Sequence, residues 1–148
     1  MNLKIQKLHP DAVVPQYATA GAACFDLHAI IDNDVGADAI LPGCPYTFRT
    51  GLAVEVPPGH VLQVHSRSGH GFKHGVRLAN GTGIIDPDYR GELLVCLHND
   101  SPDDAFVVHH GDRIAQALVL PVPRVTFEVS EQLSITGRGQ GGFGSTGR

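Results

Sequence analysis

Two stretches hold the side chains with the most chemistry in this chain of 148 residues. The first is "GTGIIDPDYRGE", residues 81–92, where Asp86 and Asp88 flank a proline and Tyr89 follows. A carboxylate at a turn tip is equipped to take a proton from water, and a neighbouring tyrosine offers a flat surface to a ring. Asp-Pro-Asp is equally ordinary turn chemistry. The second is "HSRSGHGFKHGV", residues 65–76, with Arg67, Ser68 and Gly69 in succession. Consecutive amides in a glycine-containing turn form a concavity for an anion, and a guanidinium adds charge-assisted bonds to phosphate. A plain surface turn has the same composition. The glycine-rich P-loop pattern ending in Gly-Lys-Ser/Thr is absent.

Three further stretches carry polar residues in apolar surroundings. "GAACFDLHA" sets Asp26 between Phe25 and Leu27. An acid there is either salt-bridged for structure or holds the water shell of a metal ion. "GDRIAQALVLP" sets Gln116 among apolar residues after a Gly-Asp turn. "RGQGGFGSTGR", residues 138–148, contains five glycines, and Phe143 is its one core-type residue. Such a segment is either a disordered end or a mobile arm that closes on something anionic with a flat ring.

These stretches must be positioned by short strands. "LKIQKL" alternates, with Leu3 and Ile5 on one face, and Pro57-Pro58-Gly59 separates two apolar runs. "GELLVCLHN" and "RIAQALVLPV" are dense enough for buried strands, and "RVTFEVS" alternates through Val125, Phe127 and Val129. The pieces around Ile84-Ile85 and Glu92–Leu97 predict a hairpin with Asp86, Asp88 and Tyr89 near its tip. Nowhere does helical spacing persist for three turns. With 18 Gly and 10 Pro, the reading is one all-β domain, a sandwich or barrel.

The totals exclude several classes. A net charge of -4 argues against a general nucleic-acid surface. No signal peptide or membrane-length apolar run is visible. Cys24, Cys44 and Cys96 lack metal or redox spacing and read as reduced, partly buried thiols of a cytoplasmic protein. The nine histidines are scattered without zinc-enzyme spacing, and His109-His110 reads as a strand end.

In chain order, "GAACFDLHA", "RSGHGFKHGV", "GTGIIDPDYRGE", "GDRIAQ" and "RGQGGFGSTG" resemble the five motifs of the trimeric deoxyuridine triphosphate nucleotidohydrolases, from about residue 21 onward. The resemblance implies a jelly-roll β domain over residues 1–137 and a flexible arm over 138–148. It also implies a homotrimer whose three active sites lie between subunits. The implied reaction is dUTP plus water giving dUMP and pyrophosphate, with Mg²⁺ on the triphosphate. That reaction limits uracil incorporation into DNA and supplies dUMP for thymidylate synthesis.

By the same resemblance Asp86 is the general base, and Tyr89 packs under the deoxyribose. Asn80 and the backbone near Ile84, Ile85 and Leu94 read uracil. Arg67, Ser68, Gly69 and Gln116 hold phosphates. Arg138, Gly144 and Ser145 close over the charged end, while Phe143 covers the uracil ring. Asp26 meets Mg²⁺ through water, with no direct protein ligand. No nucleic acid or membrane partner is implied.

The chain departs from the family pattern at Cys24, where glycine is common, and at His70-Gly71, where Leu-Ala or Leu-Gly is usual. A dCTP deaminase or a bifunctional deaminase and diphosphatase of the same fold, with Glu92 as its acid, is the alternative activity. It is disfavoured by the complete glycine arm. An RNA-binding Arg-Gly tail is disfavoured by the acidic whole.

Overall fold

Regular structure begins and ends with strands whose inward positions are apolar. The computed structural model describes residues 1–145 and 147. Its elements are β1 (Lys4–Lys7), β2 (Phe25–His28), β3 (Ala37–Ile40), β4 (Pro45–Glu55), β5 (His60–His65), α1 (Ser68–His74), β6 (Val76–Leu78), β7 (Gly83–Ile85), β8 (Glu92–Asn99), β9 (Phe106–His109) and β10 (Arg113–Pro121). One antiparallel sheet has the order β1-β4-β8-β6, a second has β2-β10-β5-β7, and β3 pairs with β9. The expected all-β architecture is what the chain adopts.

Period-two alternation explains the layers. In β8, Leu93, Val95 and Leu97 are buried while Leu94 is exposed. From the other sheet, Phe25 and Leu27 of β2, Leu62 and Val64 of β5, and Ala115 and Ala117 of β10 join the same core cluster. Burying each large aliphatic chain contributes roughly 1.5–3 kcal/mol. Pro57-Pro58-Gly59 does not close a hairpin. It carries the chain from β4 in one sheet to β5 in the other.

Four expectations are corrected. The segment with Asp86 and Tyr89 is not the tip of a hydrogen-bonded hairpin: β7 pairs with β5, and β8 with β4 and β6, so residues 86–91 cross between sheets. "RVTFEVS" forms no strand. Val125, Phe127 and Val129 are 68%, 91% and 100% exposed, and an alternating sequence without a neighbouring edge has no ladder to join. Regular structure therefore stops at Pro121, well before residue 137. The glycine-containing turn after Arg67 continues into α1, a helix too short to show periodicity in sequence. It ends at Gly75 in the left-handed region, φ 66°, where a side chain would be strained. Of the three thiols, Cys44 is exposed rather than partly buried. No helix among the described residues is long and apolar enough to cross a membrane.

Candidate active site

The outer face of the β2-β10-β5-β7 sheet gathers most of the polar residues singled out above. Asp26 lies opposite Gln116, which lies opposite His65. Gln63 lies opposite Ile84. Directly opposed residues share a face, so Asp26, Gln116, His65, Gln63 and Ile84 form one outward field across four strands. The inward neighbours Leu27, Leu62 and Val64 anchor it from below.

Arg67 stands at one edge of this field as the N-cap of α1. Its Nε donates to Asp26 Oδ1 at 3.0 Å. One Nη1 donates to the Arg113 carbonyl and to His70 Nε2, each at 3.3 Å. Arg113 in turn donates to Asp26 Oδ2 at 3.2 Å. Asp26 is thus bracketed by two guanidiniums, and its side chain is only 17% exposed. The first turn of α1 leaves the amides of Ser68 and Gly69 without intrahelical acceptors. Gln116 donates to the Ser66 carbonyl at 3.0 Å, tying β10 to the strand end that presents Arg67. Two guanidiniums and two open amides make this corner suited to an anion.

Asp86 follows β7 directly. It lines an open cleft of about 350 Å³ with Gln63, Ile84, His60 and Arg124. The cleft opens from the same sheet as the arginine corner. Tyr89 is 42% exposed and fixed at both ends: its amide donates to the Asp86 carbonyl at 3.2 Å, and its hydroxyl to the Glu92 carbonyl at 3.0 Å. Its ring lies back over Gly91, where any Cβ would overlap the phenol. A side chain at position 91 would displace the Tyr89 ring from this placement.

Asn80 occupies the turn between β6 and β7. There β8 outruns its neighbour: the Ala79 amide reaches the Cys96 carbonyl at 2.9 Å, and beyond it no strand flanks that edge. Peptide groups two residues apart face the same way, so the amide and carbonyl of Leu94 point into this open edge. The Leu94 side chain is exposed on the outer face of its own sheet, Ile84 is exposed on the other, and Ile85 packs on the core.

The arm is not brought to either place. Phe143 is fully exposed with φ 49°, and Arg138 Nε bonds to the Gly141 carbonyl at 2.7 Å. Gly139, Gly141 and Ser145 donate to Thr136, Arg138 and Gly142. Each of these hydrogen bonds stays within residues 136–145, and Gly144 adopts a φ of 87° there.

Two partners of Arg67 escaped the sequence reading. Arg113 lay within "GDRIAQ", but plain alternation sets it on the face opposite Gln116. A register shift between Arg113 and Ala115 breaks the alternation and leaves both Ile114 and Ala115 fully buried. His70 was visible only as a departure from the family pattern. Burial first, then the nearby Arg67 and His74 charges, hold its pKa below the ordinary histidine value.

Glu92 is committed elsewhere. Its carboxylate accepts from Arg49 Nε at 3.1 Å and from the Gly51 amide at 2.8 Å. Gly51 sits at a bulge with φ +66°, and a Cβ there would lie 2.9 Å from Ala12 and His9. Among the described residues no group of three His, Cys, Asp or Glu is placed to hold a metal ion.

The outward polar sheet face thus carries an arginine corner and a cleft lined by Asp86 and Arg124. Comparison narrows the class: the dUTPase family model matches residues 11–147, and the chain belongs to the dUTPase family. The deoxyuridine 5'-triphosphate nucleotidohydrolase of Nautilia profundicola is 47% identical over 100% of both chains. That of Syntrophotalea carbinolica is 44% identical over 99% of this chain and 97% of its own. A mutant dUTPase of Staphylococcus bacteriophage 80alpha, solved with dUpNHpp, superposes with a TM-score of 0.88 at 25% identity, covering 99% of each chain. A mutant dUTPase from phage phi11 of S. aureus, described as showing the coordination of a structural Mg(II) ion, has a TM-score of 0.80 at 20% identity over 91% of this chain.

Proposed function

We propose that this chain hydrolyses dUTP to dUMP and pyrophosphate. The observation that carries the reading is the Arg67–Asp26–Arg113 corner on the same sheet as the Asp86 cleft, in a chain of the dUTPase family. Asp86 takes a proton from a water that attacks the α-phosphorus. A new oxygen–phosphorus bond forms, the bond from that phosphorus to its bridging oxygen breaks, and pyrophosphate departs. Positioning of nucleophile and charge does most of the work in such transfers.

Arg67, the Ser68 and Gly69 amides and Gln116 hold phosphate oxygens. Asn80 and the peptide groups of Ile84, Ile85 and Leu94 read the uracil edge. Tyr89, held between Asp86 and Glu92, packs against the deoxyribose and leaves no room for a 2′-hydroxyl. Mg²⁺ supplies charge neutralisation on the triphosphate when bound. Asp26, which fixes the two arginines, would hold a water of that ion.

Residues 138–148 act as the closing arm, with Arg138, Gly144 and Ser145 on phosphates and Phe143 over uracil. Residues 1–137 form the remaining domain, assembled as a trimer. The exposed Val125, Phe127 and Val129 support the assembly, because a single chain gives them nothing to cover. The engagement of Glu92 by Arg49 and Gly51 supports hydrolysis over deamination. Free thiols fit a cytoplasmic setting.

Pyrophosphate release from dUTP, UTP, dTTP and dCTP tests the reading. Mg²⁺-dependent turnover of dUTP is expected, with the other three poor substrates. Comparable turnover of UTP would remove the role given to Tyr89, and ammonia from dCTP would replace the reaction.

A further inference from the structure

The one departure that touches the arginine corner is His70. Arginine side chains donate and never accept, so the contact of Arg67 Nη1 with His70 Nε2 at 3.3 Å requires a lone pair on that nitrogen. The ring proton then sits on Nδ1, which is buried without a protein partner. His70 lies in a cavity of about 190 Å³ with Arg67, Phe106, Val108, Asp112 and Arg113, its ring centroid 5.1 Å from that of Phe106.

Counting donors shows what this does. Nε of Arg67 is committed to Asp26 and Nη1 to His70 and the Arg113 carbonyl. Among the described residues these contacts leave Nη2 for an incoming oxygen. A leucine at position 70 would fill the space but give no acceptor.

We infer that His70 is a positioning residue for nucleotide binding: as a neutral acceptor it aims Arg67 at the substrate's phosphate, and its protonation withdraws that aim. The inference rests on the phosphate role assigned above to Arg67. Once protonated, Nε2 becomes a donor and sets a second positive charge against the guanidinium. The groups facing His70 are Arg67 at the N-cap and His74 at the end of α1, Asp112 just before β10 and Arg113 at its start, with the uncharged Phe106 from β9. Three of the four charges or potential charges are positive. Together with burial they lower the pKa, while Asp112 opposes them. His70 is therefore neutral above its depressed pKa, and Arg67 loses its acceptor as pH falls through that value, below the ordinary 6.5.

Steady-state dUTP hydrolysis by the full-length assembly, measured from pH 5 to 8.5, tests this with H70L, H70Q and R67A. H70L is expected to raise KM about three- to tenfold at pH 8 with kcat within about twofold, the size of one charge-assisted hydrogen bond. H70Q, which keeps an acceptor, should stay within about twofold of the parent. The parent's KM should rise on the acid side more steeply than that of either variant; protonation of the substrate affects all three alike. A KM for H70L equal to the parent's, with matching pH profiles, overturns the inference when R67A still raises KM. If R67A leaves KM unchanged, the phosphate role of Arg67 fails first. Should H70L lose thermal stability, the parent-versus-H70Q pH profiles decide alone: superimposable curves overturn the proposal.

Discussion

The arginine corner and the glycine tail are both expected to hold phosphate, yet one chain builds only the first. Arg67 is held by acceptors from three elements before any ligand arrives, and Asp26 is bracketed by two arginines. Arg138 bonds to its own neighbour Gly141, and Phe143 is bare to solvent. The difference is one of preorganisation. A fixed donor does not have to be ordered on binding, whereas a tail proposed to close over substrate would give up conformational freedom on closing.

Cutting the chain after Gly137 separates the two regions most sharply. Every strand ends by Pro121, so the thermal midpoint should stay within about 2 °C of the parent. Turnover of dUTP should fall by about 10³-fold, since several preorganised donors are removed together. Full activity in the truncated chain would make the tail dispensable, and a large drop in midpoint would make it structural.

Asp86→Asn probes the fixed half. The amide keeps size and hydrogen bonding but cannot take the water's proton, so kcat should fall by about 10²-fold. Nucleotide affinity, read by calorimetry with a non-hydrolysable analogue, should change little. If Asp88→Asn were the inactive variant and Asp86→Asn active, the base would be Asp88.

How much of this was legible follows from how local each feature is. Asp86, Tyr89 and the Arg67-Ser68-Gly69 run stand out because turn composition and charge are written in neighbouring residues. Burial in β8 follows from alternation alone. The partner of a strand is not written locally, and so Ile84-Ile85 and Glu92–Leu97, adjacent in sequence, were paired although they belong to different sheets. Val125, Phe127 and Val129 failed for the same reason in reverse: their pattern is that of a strand, but no strand of this chain pairs with them. Arg113 was hidden by a bulge, and His70 by a helix too short for periodicity.

A milder change asks what Asp26 is for. Asp26→Asn leaves an oxygen for one guanidinium but removes the charge that holds two of them together. KM for dUTP should rise about tenfold, with kcat changed by less than about threefold, as expected for losing a charged hydrogen-bond acceptor from a binding corner. Varying Mg²⁺ sharpens the result. If the defect disappears at high Mg²⁺, the water-mediated role toward the ion dominates. If it persists at every Mg²⁺ concentration, holding Arg67 and Arg113 is the larger role.

The smallest expected deficit comes from joining the two damaged regions across subunits. Chains carrying Asp86→Asn keep the arm, and chains cut after Gly137 keep the base. Each parent is expected to be inactive. Unfolded together in equal amounts and refolded, they should assort at random if the chain forms the proposed trimer. Where base and arm come from different subunits, a site is intact when its base donor is a truncated chain and its arm donor an Asp86→Asn chain. Each condition is met half the time, so about a quarter of sites recover, and activity should return to within about fourfold of the parent. Closure of the arm on its own subunit allows no intact site in any mixture. Persistent inactivity in trimers shown by mass to be mixed would therefore assign each arm to its own chain. Recovery would show that the half-built site of one subunit is completed by another.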